Sequence, residues 1–288
     1  METVKDIKEM QKHSSCLRKK GNRIGFVPTM GFLHRGHMSL VEKAREENDA
    51  LVVSIFVNPT QFGPGEDYEA YPRDMEKDSA LCRQAGTDIL FSPFPSAMYP
   101  SGFRTIVSVS GLTEGLCGAS RPGHFDGVCT VVAKLLNIVW PHRAYFGLKD
   151  YQQFQVVRRM ARDLDMDTEI VGLPTVREPD GLAMSSRNIY LTAGERKAAL
   201  VLFQALECAR KMAAGGILEA GTIEEKAREM ILSTNGASLD YASVVDAEEL
   251  TPVKTIRDRA LLALAVSIGK ARLIDNAILE AGNRESNG

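Results

Sequence analysis

The sequence predicts an α/β fold, a parallel-sheet domain followed by a smaller α+β domain. Three observations carry this. Strand-like and helix-like segments alternate through the first half of the chain. One strand, Ala50–Val57, is an unbroken, valine-rich apolar run, as a strand covered on both faces requires. After about Thr175 the order changes to long helices followed by strand-like runs. The expected domains are therefore residues 1–175 and 176–288.

Taken in order, Val4–Lys19 places Val4, Ile7, Met10 and Leu17 at helical spacing and predicts an amphipathic helix. Arg23–Thr29 reads as a strand, and His37–Glu47 as a helix with Leu40, Val41 and Ala44 on one face. Helix Arg73–Ala85 and the short strand Thr87–Phe91 follow Ala50–Val57. Phe125–Val139 is a strongly apolar helix that Asp126 or Gly127 starts and Pro141 closes. Strand Arg143–Phe146, helix Asp150–Leu164 and strand Thr168–Val171 complete the first domain. In the second, Thr192–Ala213 and Thr222–Thr234 read as helices, with Thr192 as an N-cap. Leu239–Asp246, Arg259–Ile268 and Ala271–Asn276 read as strands, and the polar tail Asn283–Gly288 as frayed.

Composition narrows the function. The chain has 288 residues, 44% of them hydrophobic and 25% charged, enough for two sizeable cores. A formal charge of -2 gives no general pull towards nucleic acid. The first residues hold no secretory h-region, and no apolar run reaches membrane-span length, so the expected location is the cytoplasm without a membrane partner. The five cysteines, Cys16, Cys82, Cys117, Cys129 and Cys208, form no CxxC pair and read as free thiols.

In a parallel sheet, ligands bind beyond the carboxyl ends of the strands. The unusual residues of this sequence stand in those loops. Pro28-Thr29-Met30-Gly31-Phe32-Leu33-His34-Arg35-Gly36-His37 follows a strand and opens a helix. Its glycines permit close backbone approach, and unpaired amides at the helix start would seat a phosphate. His34 and His37, three apart, can share a face and donate hydrogen bonds to charge that develops as pyrophosphate leaves. Asn58 and Gln61, in Phe56–Gly63, can present neutral amides to a small polar substrate. An amide orients a carboxylate without the strong ion pair that would weaken it as a nucleophile. The acidic stretch Glu66–Glu69 reads as a solvated face.

Three further motifs belong to the same set. Arg121–Gly127 precedes the apolar helix; its His124 either lines the site or braces the loop, and the sequence leaves both open. In Phe146–Gln153, Gly147 and Leu148 follow the end of a strand, and Lys149 is placed to contact phosphate as a point charge. Asp150 can cap the next helix or accept from a ribose, while Gln153 reaches the same pocket. Met184-Ser185-Ser186-Arg187-Asn188 follows the turn Pro179-Asp180-Gly181 and suits a clamp over phosphates. No Ser-His-Asp or Cys-His arrangement stands out.

Taken together and in this order, from about Arg23 to Leu191, the motifs resemble the pantothenate synthetase family. The resemblance implies a Rossmann-like nucleotidyl-transferase domain with a C-terminal α+β lid. It implies that pantoate attacks the α-phosphate of ATP, and that β-alanine then displaces AMP from pantoyl adenylate. His34, His37, Lys149, Ser185 and Arg187 match positions that bind ATP phosphates and stabilise the transition state. Met30–His37, Gly147–Asp150, Val176 and Met184–Arg187 match the nucleotide site, and Gln61 and Gln153 the pantoate amides. Mg²⁺ entering with ATP and a homodimer are also implied. His37 matches the residue described as proton donor, although a histidine can donate a hydrogen bond without releasing its proton. Leu148, Cys129 and Arg35 depart from the family pattern, and none removes an expected contact.

Two other readings are open to the residues alone. One is a nucleotidyltransferase acting on a phosphorylated acceptor, against which the neutral amides argue. The other is a non-catalytic relative, against which the intact His34, His37, Lys149 and Arg187 argue.

Overall fold

The computed structural model describes residues 1–281, and the tail read as frayed lies outside the described residues. The chain divides into two compact units. The first is Met1–Ser110 with Arg121–Val176; the second is Gly111–Ser120 with the described residues from Arg177 onward.

The first unit is a six-stranded sheet in the order β1-β4-β3-β2-β5-β6, with all pairings parallel. Its elements are β1 (Glu2–Val4), α1 (Ile7–Lys19), β2 (Ile24–Thr29), α2 (Arg35–Glu47), β3 (Ala50–Ile55), α3 (Met75–Gln84), β4 (Ile89–Phe91) and α4 (Pro95–Met98). The short α5 (Cys117–Ser120) belongs to the other unit. There follow α6 (His124–Val139), β5 (Arg143–Gly147), α7 (Tyr151–Asp163) and β6 (Glu169–Leu173). All six residues of β3 are buried, which is why its sequence carries no polar alternation. The core over β2 and β3 joins Val27, Leu51 and Val53 to Val41 and Ala44 of α2.

Some details differ from the sequence expectation. The stretch Val4–Lys19 is a strand, then a helix. Val4 is buried where β1 pairs with β4, and Asp6 caps α1 by accepting from Glu9 N. The helix expected from Phe125 begins at His124, with Gly123 at its N-cap. The boundary expected at residue 175 is interrupted, because Gly111–Ser120 joins the C-terminal unit. Cys117 Sγ lies 3.0 Å from Tyr241 Oη, and Ser120 Oγ donates to Asp240 at 2.9 Å. Such side-chain anchors are invisible in a loop's own sequence.

The second unit packs α8 (Ala193–Ala214) and α9 (Ala220–Leu232) on an antiparallel sheet β7-β8-β9. These strands are Ala237–Asp246, Arg259–Ile268 and Ala271–Glu280, the last longer than expected. The alternation of β9 buries Leu273, Asp275, Ala277 and Leu279 on one face. Leu202, Leu206, Ile223, Leu262 and Leu264 form the core. Thr192 and Glu195 close a reciprocal capping box at the start of α8.

Candidate active site

The strand order places β2 between β3 and β5, so the chain winds outward one way from β2 and returns to build β5 and β6 on the other side. That reversal is where a doubly wound sheet opens a crevice at its carboxyl edge. The loops leaving β2 and β5 there are Met30–His34 and Leu148–Asp150.

His34 is the N-cap of α2 and His37 its third residue. His34 Nδ1 accepts from Gly36 N at 3.1 Å, and His37 Nδ1 accepts from His34 N at 3.4 Å. Two imidazoles thus form the capping box that Ser and Glu usually make. With each Nδ1 an acceptor, each ring proton sits on Nε2. The rings lie 4.0 Å apart, centroid to centroid. Burial, then the nearby His34 and Lys149, push the His37 pKa down to about 3. The unliganded chain therefore holds His37 neutral at pH 7, with Nε2–H as a hydrogen-bond donor.

The loop ahead of the pair is held by a residue that sequence reasoning did not select. Asp78 of α3 is 1% exposed, and its two oxygens accept from Phe32 N and Leu33 N, both at 2.7 Å. Gly31 (φ +83°) and Phe32 (φ 51°) both take left-handed backbone. A Cβ at residue 31 would stand 2.9 Å from Ile55 Cγ2 and 3.0 Å from Asp78 Oδ2, so only glycine fits. Gly31 N donates to Thr29 Oγ1, and His37 N and Met38 N to His34 O. The expected seat of unpaired amides is therefore largely filled from within. What this helix start offers an anion is its dipole and the imidazole Nε2 groups. Arg35 pairs with Glu42 on the exposed side.

Lys149 lies in the turn Leu148–Asp150 after Gly147 ends β5, and its Nζ is 3.8 Å from Asp150 Oδ2. Asp150 stands at the N-cap of α7 yet makes no cap hydrogen bond, so the capping role read for it is not taken up. Val176 follows β6 at the end of this unit.

Asn58 and Gln61 bracket a 3-10 turn, Pro59–Gln61, just past β3. Asn58 is 1% exposed. Its Nδ2 donates to Gln61 Oε1 and Gly127 O, both at 3.1 Å, and its Oδ1 accepts from Tyr99 Oη at 2.7 Å and from Thr60. This corrects the expectation that Asn58 presents its amide to a substrate. Both of its N–H groups are already engaged, and what it does is orient Gln61. Gln61 Nε2 then points at Met30 Sδ, a weak acceptor 3.2 Å away on the histidine loop. Gln153 is half-buried on the first turn of α7, and its side chain has no hydrogen bond among the described residues.

His124 resolves as a brace. One ring nitrogen, Nδ1, is 2.8 Å from Gln61 O, and the other, Nε2, is 3.0 Å from Arg121 Nη1. Burial first, then Arg121, push its pKa down to about 4. Glu66, expected on a solvated face, instead has both oxygens accepting from Arg121 at 2.6 Å.

Met184, Ser185, Ser186 and Arg187 lie in the second unit. Ser185 caps the 3-10 turn Ser186–Tyr190, accepting from Arg187 N. The loop hangs on charged residues: Asn188 Nδ2 donates to Glu178, Arg196 bonds Glu178 and Asp180, and Arg177 pairs with the buried Asp275.

A doubly wound sheet with this histidine pair at its switch point defines a nucleotidyl-transferring α/β protein. The particular family follows from comparison with known proteins. The chain belongs to the pantoate-beta-alanine ligase family, whose model matches residues 2–278. It is 56% identical to a pantothenate synthetase of Thermotoga neapolitana over 97% of this chain and 100% of the relative. A crystal structure of pantothenate synthetase from Thermus thermophilus superposes with a TM-score of 0.91 at 49% identity, covering 98% of this chain and all of that one. A pantoate-beta-alanine ligase from Francisella tularensis, complexed with beta-gamma ATP and beta-alanine, superposes at 0.80 with 37% identity, covering 96% and 97% of the two chains. Among the described residues, no helix is long and apolar enough to cross a membrane.

Proposed function

We propose that this chain is an ATP-dependent ligase that condenses pantoate with β-alanine to pantothenate through a pantoyl adenylate. A pantoate carboxylate oxygen attacks the α-phosphorus of ATP, and the bond to pyrophosphate breaks. The β-alanine amine then attacks the acyl carbon, and AMP leaves with the bond electrons. No enzyme nucleophile takes part, so catalysis is positioning and charge neutralisation. The observation that carries this reading is the pair of Nε2 donors fixed by their own helix cap, with His37 neutral.

In this reading His34, His37 and Lys149 hold the phosphates, and Met30–His37 and Gly147–Asp150 with Val176 form the nucleotide site. Gln61 and Gln153 orient pantoate. Met184–Arg187, in the second unit, are assigned phosphate contacts by their motif alone.

Mg²⁺ fits the donor set as an ion carried by ATP. Asp150 is half-exposed beside Lys149, so its carboxylate is open to an incoming ion. That carboxylate would supplement phosphate oxygens, as an ion that keeps much of its water requires. Bound there, Mg²⁺ would neutralise phosphate charge. A homodimer in the cytoplasm is the assembly and location that the family resemblance supports, and light scattering reads out the first.

The test is product identity. AMP formed only when pantoate and β-alanine are both present supports the reading. A retained dinucleotide, or AMP release that ignores pantoate, overturns it.

A further inference from the structure

The proposed pantoate amide, Gln61, sits on a turn whose backbone is gripped by groups that never reach the amide itself. Arginine has only donors. His124 Nε2, 3.0 Å from Arg121 Nη1, is therefore an acceptor, and the ring proton lies on Nδ1. That N–H donates to Gln61 O at 2.8 Å, and Arg121 Nη2 donates to the same oxygen at 3.3 Å. Arg121 is in turn held by both Glu66 oxygens at 2.6 Å. The turn is also pressed against α6, whose first residue is His124: a Cβ on Gly127 would lie 2.4 Å from Thr60 O and 2.7 Å from Gln61 Cα.

We infer that His124, with Arg121 and Glu66 behind it, is a positioning residue for pantoate: it fixes the Gln61 backbone and thereby the direction of the Gln61 amide. The inference rests on Gln61 being a pantoate contact. The ring is chemically matched to this task. A neutral Nδ1–H tautomer is the one form that can accept from Arg121 while donating to a carbonyl, and no serine or lysine offers both at this span.

The experiment is a steady-state comparison of His124→Ala, His124→Asn, His124→Gln, Gln61→Ala and the double variant Gln61→Ala/His124→Ala, with each KM measured separately and folding checked by thermal unfolding. An asparagine amide reaches the Nδ1 position and can still donate to Gln61 O; glutamine extends past it. The expected result is a pantoate KM raised about 10- to 100-fold in His124→Ala, as loss of a buried hydrogen bond predicts. The ATP KM should move less than about threefold, and His124→Asn should recover most of the loss while His124→Gln does not. The double variant should match Gln61→Ala, because the two act through one amide. A His124→Ala loss that adds in full to that of Gln61→Ala overturns the inference, as does an equal rise in the ATP KM. Should His124→Ala not fold, an Asn variant no better than Gln overturns it too. A normal pantoate KM in Gln61→Ala refutes the pantoate assignment itself, and the inference falls with it. A silent His124→Ala beside an impaired Gln61→Ala refutes the brace alone.

Discussion

Replacing Asp78 with alanine removes two hydrogen bonds, each 2.7 Å, from a carboxylate to Phe32 N and Leu33 N. The amides are left in a largely buried loop, where an unsatisfied donor costs about 1–3 kcal/mol. The gross loss is therefore about 2–6 kcal/mol. An opposing term exists. Asp78 is itself penalised by burial, which pushes its pKa up, and alanine relieves that cost. The net loss should be about 1–4 kcal/mol, concentrated in the loop that leads into His34. Asp78→Asn should fall between: its oxygen accepts from one amide, while its own N–H group faces the other. Thermal unfolding reads the stability, and pantoate-dependent pyrophosphate release reads the site. The expected pattern is a modest drop in melting temperature with a turnover loss of at least tenfold for alanine, and a smaller loss for asparagine. Alanine at wild-type turnover would refute the claim that Asp78 sets the loop geometry.

Other predictions follow from the same contacts. His37→Ala should lower kcat by about 10²- to 10³-fold, the usual effect of losing one transition-state donor, measured by single-turnover AMP formation. His37 and His124, held near 3 and 4, stay neutral in the folded state while an unfolded chain takes up protons below pH 6.5. Stability should thus fall as pH drops from about 6.5 towards 4, by up to about 1.4 kcal/mol per pH unit for each ring. Melting temperatures at pH 7, 6 and 5 test this, and a flat profile contradicts it. Gly127→Ala forces a methyl to 2.4 Å from Thr60 O and should cost about 1–3 kcal/mol with a raised pantoate KM; unfolding and kinetics on the same sample decide.

Much of this architecture was legible because its causes are local. The apolar run of β3 and the nearly all-round burial of α6 are written in consecutive residues. Chemistry-bearing loops after strands also read directly, since parallel sheets put ligands there. What escaped depends on partners far away in the chain. β1 is three residues long, and only its pairing with β4 defines it. Asp78 lies 45 residues from Leu33 and looks like a surface helix residue until the loop folds onto it. Asn58 read as a site residue and His124 as either a site residue or a brace, and their roles turned on which of their polar atoms the protein itself consumes.

The histidine cap of α2 makes its first turn and its chemistry a single object. Serine, aspartate or asparagine at residue 34 would terminate a helix at least as well. Selection for stability alone would drift towards those residues, and each step would delete a donor. Stabilising this enzyme by improving its helix ends therefore has one exception, and an unbiased screen for heat resistance that samples residue 34 should return robust, inert proteins.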